Sequence, residues 1–270
     1  MRFDEFMQEY CPLHIRPFMN ANLHIIEGLG NFLEQEMEDA EKGLKNRMTP
    51  RIELIMSSFY LVSMDPFDLF PNSLRVVCLF QDVYPTPGAA CGVATATLNG
   101  SVQPTLSNMY KRLCETYHPK TYHDVTVEDP ETHEQTNAIE ERAGVMPRLV
   151  DGDIRGWCSQ GVLMWNAAMS TRERETEGHM AEWSLFSEQM MKWISDIFPF
   201  VVFVMFGKKA QLLKKFINAS KHSIIETSHP SGRGYYYGFD KCDVFNQVNE
   251  HLSLNKRLPI KWENYNYVGE

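Results

Sequence analysis

The chain has 270 residues, 43% of them hydrophobic, and a formal net charge of −9. That length suits one large domain or two small ones, and the apolar content supplies a globular core. The acidic balance argues against a protein that coats nucleic acid through a uniformly basic surface. No run of eighteen apolar residues is present to span a membrane. The opening MRFDEFMQEY lacks an apolar signal core, so the expected location is intracellular: the nucleus in a eukaryote or a nuclear-replicating virus, otherwise the cytoplasm. The six cysteines, Cys11, Cys78, Cys91, Cys114, Cys158 and Cys242, are nowhere within four residues of one another. Zinc and iron–sulfur sites draw on close pairs, so neither a metal nor another cofactor is expected.

Residues 1–72 read as a helical segment packed on the core, with Leu23, Ile26, Leu29, Phe32 and Leu33 at helical spacing and an acidic stretch over 34–41. A strand-like run follows at 74–80, then LFQDVYPTPGAACG, whose prolines and glycines fit neither strand nor helix. A helix is predicted over 105–117. Residues 118–150 are acidic and aperiodic, and read as an inserted loop. Strands are predicted at 162–166, 201–206 and 223–227, with helices at 184–197 and 209–219. Single strands alternating with helices imply an α/β fold with a parallel sheet covered on both sides. Between 208 and 241 the charge reverses, with seven Lys or Arg against Glu226 and Asp240. A solvated helix face and a local positive surface are both open readings of that run.

Ligands of open parallel sheets bind beyond the carboxyl ends of the strands. The first predicted strand runs into Gln81-Asp82-Val83-Tyr84, the second ends on Asn166, the third on Gly207-Lys208-Lys209, and the fourth on Ser228 to Gly234. An acid, an amide, a His and a Gly-rich basic loop thus meet at one edge. An amide reads a planar ring that carries adjacent N–H and C=O groups. A neutral His donates to an oxygen that gains charge. A carboxylate orients water and stabilises a cationic sugar. A Gly-rich loop with Ser and Arg grips phosphates.

These residues carry a resemblance to the family-1 uracil-DNA glycosylases. Phe80-Gln81-Asp82-Val83-Tyr84-Pro85, followed by Thr86-Pro87-Gly88 and Gly92, resembles the family's first motif. Pro104-Thr105-Leu106 resembles its proline-serine loop. Gly156-Trp157 through Asn166-Ala167 resembles the uracil-reading strand, and His229-Pro230-Ser231 the last loop. Gly178-His179 with Trp183, and Pro259 to Trp262, follow in family order, so the likeness spans residues 73–262 with 118–150 as an insertion and 263–270 as a tail.

The resemblance implies a three-layer α/β/α sandwich with a central four-stranded parallel sheet, and a metal-free monomeric enzyme acting on uracil-containing DNA. It leaves room for a replication or repair partner. Asp82 would position water and stabilise the sugar cation, and His229 would stabilise the departing uracil. Asn166 and Gln81 would hold the base, while Tyr84 would exclude thymine. Pro104, Thr105, Gly207, Lys208 and Ser231 would contact phosphates. Four positions depart from the family pattern. Val83 replaces a proline and Pro85 a histidine. Thr95 stands where the base-stacking phenylalanine is expected. Arg233 stands at the leucine wedge, with Gly232 in place of a proline. Two readings stay open: a glycosylase that releases uracil and initiates base excision repair, or a catalytically weak DNA-binding or replication-associated subunit. An α/β hydrolase of small molecules is disfavoured by the lack of a nucleophile elbow.

Overall fold

Four short runs of β-branched, aromatic and sulfur-containing residues pair side by side. β1 is Val76–Asp82, β2 Val162–Ala168, β3 Val202–Phe206 and β4 Ser223–Thr227. They form one parallel sheet in the order β2-β1-β3-β4. β1, β2 and β3 are buried almost throughout, which is why they read as continuous apolar runs rather than alternating ones. This computed structural model describes residues 12–67, 70, 72–117, 124–128, 135–139 and 151–263, the two short middle segments as backbone only.

The chain leaves β1 toward β2, then returns across β1 to β3. Right-handed crossovers in opposite directions put their helices on opposite faces. Helix α3 (Pro104–Tyr117), started by a proline at its first position, follows β1. Helix α4 (Met180–Ile197) follows β2 and packs on it. Helices α1 (Arg16–Ala21) and α2 (Leu23–Glu41) precede the sheet, and α2 packs on α4. A short α5 (Gly207–Gln211) follows β3, and α6 (Gly232–Tyr236) follows β4. Helix α7 (Val244–Leu254) packs on β3, β4 and α3. Ile15, Phe18, Leu29 and Leu33 share one core cluster with the sheet residues. No described helix is long and apolar enough to cross a membrane.

Four elements differ from expectation. Asn166 is not the last residue of its strand: β2 runs on to Ala168, because Ala168 still pairs with Asp82. Ala167 and Ala168 gave no strand signal of their own. The helix expected over 209–219 is α5 plus a 3-10 turn, Leu212–Phe216. Asn218 stops it by accepting the Ser220 N–H on Oδ1 at 3.1 Å, while its own N–H goes to Ser195 Oγ at 2.9 Å. The helical N-terminal segment contains a two-residue strand, Met48–Thr49, paired antiparallel with Thr171–Arg172. Within 118–150, Asp124–Glu128 and Gln135–Ile139 pair antiparallel as backbone. The rest of that segment, the side chain of Arg233 and residues 264–270 lie outside the described residues.

One buried carboxylate ties the N-terminal segment to the sheet. Glu36 of α2 is 2% exposed. Its oxygens accept from Arg172 Nε at 2.6 Å, Arg172 Nη2 at 3.0 Å and Lys45 Nζ at 2.6 Å. His179 Nε2 lies 3.3 Å from Oε2. Burial alone would raise its pKa, but the bonds from Arg172 and Lys45 prevail and hold it down at about 2. A drop from an ordinary 4.5 corresponds to about 3 kcal/mol of stabilisation at neutral pH. A depressed folded-state value means that this contribution is complete above the ordinary value and is lost as pH falls through about 2. Glu36→Gln should therefore lower Tm strongly at pH 7, with the gap to wild type closing as pH is lowered toward 2. Calorimetry across that range checks this; a gap of constant size would show that charge is not what holds the cluster.

Candidate active site

The carboxyl ends of β1 and β3 flank the point where the chain reverses its direction across the sheet, the expected place for a ligand. Strand register builds the floor. Phe80 lies opposite Asn166, and Leu79 opposite Met205, so Phe80 also stands beside Phe206, which in turn faces Thr227. Asn166, Phe80, Phe206 and Thr227 thus form one row across the sheet on a single face. The rings of Phe80 and Phe206 stack at 4.3 Å and 6°. A pocket opens above this row. Asp82, Tyr84, Thr95, Thr105, Asn166 and His229 line it with Phe80 and the 90–93 loop.

Asp82 is the last residue of β1, and its Oδ2 accepts the Glu177 N–H at 2.7 Å. Burial raises its pKa, the Glu177 N–H opposes that rise, and the Glu177 carboxylate adds to it. Glu177 sits in the left-handed region at φ +59°. Its Oε1 accepts from Gln81 Nε2 at 2.8 Å and its Oε2 from Lys209 Nζ at 3.2 Å. The loop that carries it is pinned: Gly178 N–H donates to Thr171 Oγ1 at 3.1 Å, and Arg174 N–H to the Pro85 carbonyl at 2.7 Å.

His229 is fixed as a neutral donor. The Ser231 N–H donates to its Nδ1 at 3.1 Å, and Ser231 Oγ lies 2.7 Å from the same nitrogen. Nδ1 is thus an acceptor, and the ring proton belongs on Nε2. Burial pushes the pKa down to about 4. Gly207, at φ +85°, leaves the ring its space: a Cβ there would stand 3.0 Å from His229 Cβ, and one on Gly234 would stand 2.5 Å from the His229 carbonyl oxygen. Asn108 Nδ2 holds the same loop to α3 through the Pro230 carbonyl at 2.6 Å. Asn166 is 8% exposed, and its side-chain amide has no hydrogen-bond partner among the described residues.

Tyr84 donates its hydroxyl to the Thr95 carbonyl at 3.2 Å. Thr95 is the third residue of a turn closed by Ala96 N–H to Val93 O at 3.2 Å, and its φ is +66°. That position of a type II turn favours Gly, and a β-branched residue there is an outlier; such strain costs about 1–3 kcal/mol.

The sequence-derived residues therefore divide. Asp82, Tyr84, Thr95, Asn166 and His229 converge on one pocket. Thr105, expected at a phosphate, is buried in its wall. Gln81 turns aside to Glu177. Pro104 and Lys208 are exposed, while Gly207 and Ser231 brace His229. The backbone of Arg233 lies in the first turn of α6. Part of the basic run is spent internally: Lys209 pairs with Glu177, Lys214 with Glu226, and Lys221 donates to two backbone carbonyls. Sequence reasoning missed Glu177, which looked like one more acid in a charged loop. Tyr236 and Tyr237 are 79% and 77% exposed just beyond the His229 loop.

The model of the Uracil DNA glycosylase superfamily matches residues 86–253. A uracil-DNA glycosylase of Pseudomonas fluorescens is 30% identical over 193 residues, which cover 71% of this chain and 72% of that protein. Among solved structures, mimivirus uracil-DNA glycosylase has a TM-score of 0.64 at 23% identity, with 96% of this chain and 84% of that one covered. UNG of Nitratifractor salsuginis has a TM-score of 0.58 at 17% identity, with 90% and 94% covered. These two structures share the fold.

The His229 geometry sets a measurable state. Long-range proton–nitrogen NMR spectra should show its ring neutral at pH 6, protonated on Nε2, and titrating at about 4. A midpoint near the ordinary 6.5, or a proton on Nδ1, would contradict the assigned donor.

Proposed function

Because the chain belongs to the uracil DNA glycosylase superfamily, we propose that it removes uracil from DNA by hydrolysing the N-glycosidic bond of a deoxyuridine turned out of the strand, the opening step of base excision repair. The observation that carries this reading is the convergence of Asp82, Asn166 and His229 on one pocket. A duplex hides the bond, so the nucleotide leaves the stack before these groups reach it. Asn166 meets the base edge with an amide that is free to offer both a donor and an acceptor. As the bond between the sugar C1′ and the base N1 breaks, negative charge spreads to the uracil oxygens, and the His229 Nε2–H donates to one of them. Positive charge grows on the sugar, and the Asp82 carboxylate stabilises it and orients the water that adds to C1′. Tyr84, held by the Thr95 carbonyl, bounds the pocket where a thymine methyl would enter. Lys208 and the 231–234 loop reach the strand's phosphates.

The departure at Thr95 favours a second reading, a weakly catalytic DNA-binding subunit, since a lost base–aromatic stack is worth about 1–3 kcal/mol. A uracil-containing oligonucleotide incubated in EDTA and then treated with alkali separates the two. Strand cleavage supports the glycosylase. DNA binding without cleavage supports the subunit.

The catalytic assignment makes a sharper demand. Asp82→Asn keeps the shape and removes the charge, so it should lower the single-turnover excision rate at least a hundredfold while DNA affinity changes little. A variant retaining more than about a tenth of the rate, a difference under about 1.4 kcal/mol, would remove Asp82 from the chemistry.

A further inference from the structure

Thr95 does two things that a residue kept only for packing has no reason to do. It holds a left-handed backbone conformation although it is β-branched, φ +66°. It also buries its hydroxyl, with the residue 6% exposed and Oγ1 without a hydrogen-bond partner among the described residues. Either feature alone would be relieved by a common substitution. Glycine removes the strain, and valine removes the orphan hydroxyl with little change of shape.

The place is also not loosely built. Ala94 N–H donates to the Met164 carbonyl of β2 at 3.0 Å, Ala96 N–H closes the turn at 3.2 Å, and Thr97 N–H donates to Gly152 O at 3.1 Å. Tyr84 holds the Thr95 carbonyl itself. Gly92, three residues earlier, has no room for a Cβ, which would fall 1.6 Å from the Leu54 carbonyl oxygen. The segment is thus fixed on both sides, and Thr95 lines the same pocket as Asn166 and His229.

We propose that Thr95 is a base-recognition residue, whose buried hydroxyl donates a hydrogen bond to a carbonyl oxygen of the pyrimidine base in the pocket. This rests on the glycosylase reading and deepens it: the chain holds the base at this position by a directional polar contact in place of an aromatic face. Each uracil carbonyl oxygen has two lone pairs, so His229 and Asn166 leave an acceptor site free. Aromatic surface is supplied from below by Phe80, which lines the pocket and is backed by Phe206. Trp165, next to Asn166 in the strand, points to the opposite face of β2 and packs on Phe59 at 5.7 Å.

The test measures binding of free uracil by calorimetry, together with the Tm of the unliganded protein. Thr95→Val removes the hydroxyl and should weaken uracil binding about tenfold while leaving the unliganded Tm equal to or above wild type, because an unpaired buried polar group has been removed. Thr95→Ser should keep affinity within about threefold. If Thr95→Val fails to fold, Thr95→Gly, which also relieves the backbone, carries the same expectation. Uracil affinity unchanged in the variant without the hydroxyl would overturn the proposal, as would a loss that serine does not rescue. A wild-type protein that neither binds uracil nor excises it would overturn the glycosylase reading and this assignment together. Wild-type excision with unchanged binding in Thr95→Val would overturn the Thr95 assignment alone.

Discussion

The ion cluster around Glu36 is the constraint from which the active loop takes its shape. A buried carboxylate is tolerable only when paired and hydrogen-bonded, and Arg172 and Lys45 meet that need from outside α2. Arg172 lies in the short strand that pairs with Met48–Thr49. The chain just after it, from Glu173 to His179, is then fixed at both ends. His179 reaches Glu36 with Nε2 while Nδ1 faces Ser170 Oγ at 2.9 Å, and that same oxygen accepts from Trp183 Nε1 at 2.8 Å. One proton arrangement satisfies all three groups: the Ser170 hydroxyl donates to His179, and His179 donates to Glu36. Between these anchors Glu177 is presented to Asp82. The helical N-terminal segment therefore does more than cover one side of the sheet, because its buried carboxylate sets where the backbone donor to Asp82 stands.

Parallel-sheet geometry supplies the other half of the site. Strand register brings Asn166 and Phe80 into one row, and the reversal of chain direction between β1 and β3 opens space above them. Asp82 and His229 approach that space from the ends of β1 and β4, and burial shifts both toward their neutral forms. The imidazole is kept neutral and able to donate. The carboxyl is raised but still restrained by the Glu177 N–H.

Much of this was legible in the chain. Fully buried parallel strands leave uninterrupted apolar runs, so the sheet and the polar residues at its edge could be read directly, and the motif order named the family. What escaped has a physical pattern. Asn166 sits two residues inside its strand because pairing with β1, not local propensity, extends β2 to Ala168. Glu36 and Arg172 are 136 residues apart, and Glu36 lies in an acidic stretch that reads as a solvated helix face. The left-handed backbone of Thr95 and Glu177 has no sequence signal, because glycine is what usually marks it. Long-range pairing and strained positions are where local reading fails, and both concentrate around the site.

If the Glu36 cluster serves the proposed chemistry through the Asp82 carboxylate, the two sites are coupled. The most direct measurement is a double-mutant cycle of Glu36→Gln with Asp82→Asn, read as single-turnover uracil excision at a temperature where all four proteins are folded. Independent sites add, whereas sites acting through one another do not. Coupled in this way, Glu36→Gln slows the wild-type protein about tenfold and leaves the residual rate of Asp82→Asn unchanged. An equal slowing in both backgrounds would contradict it.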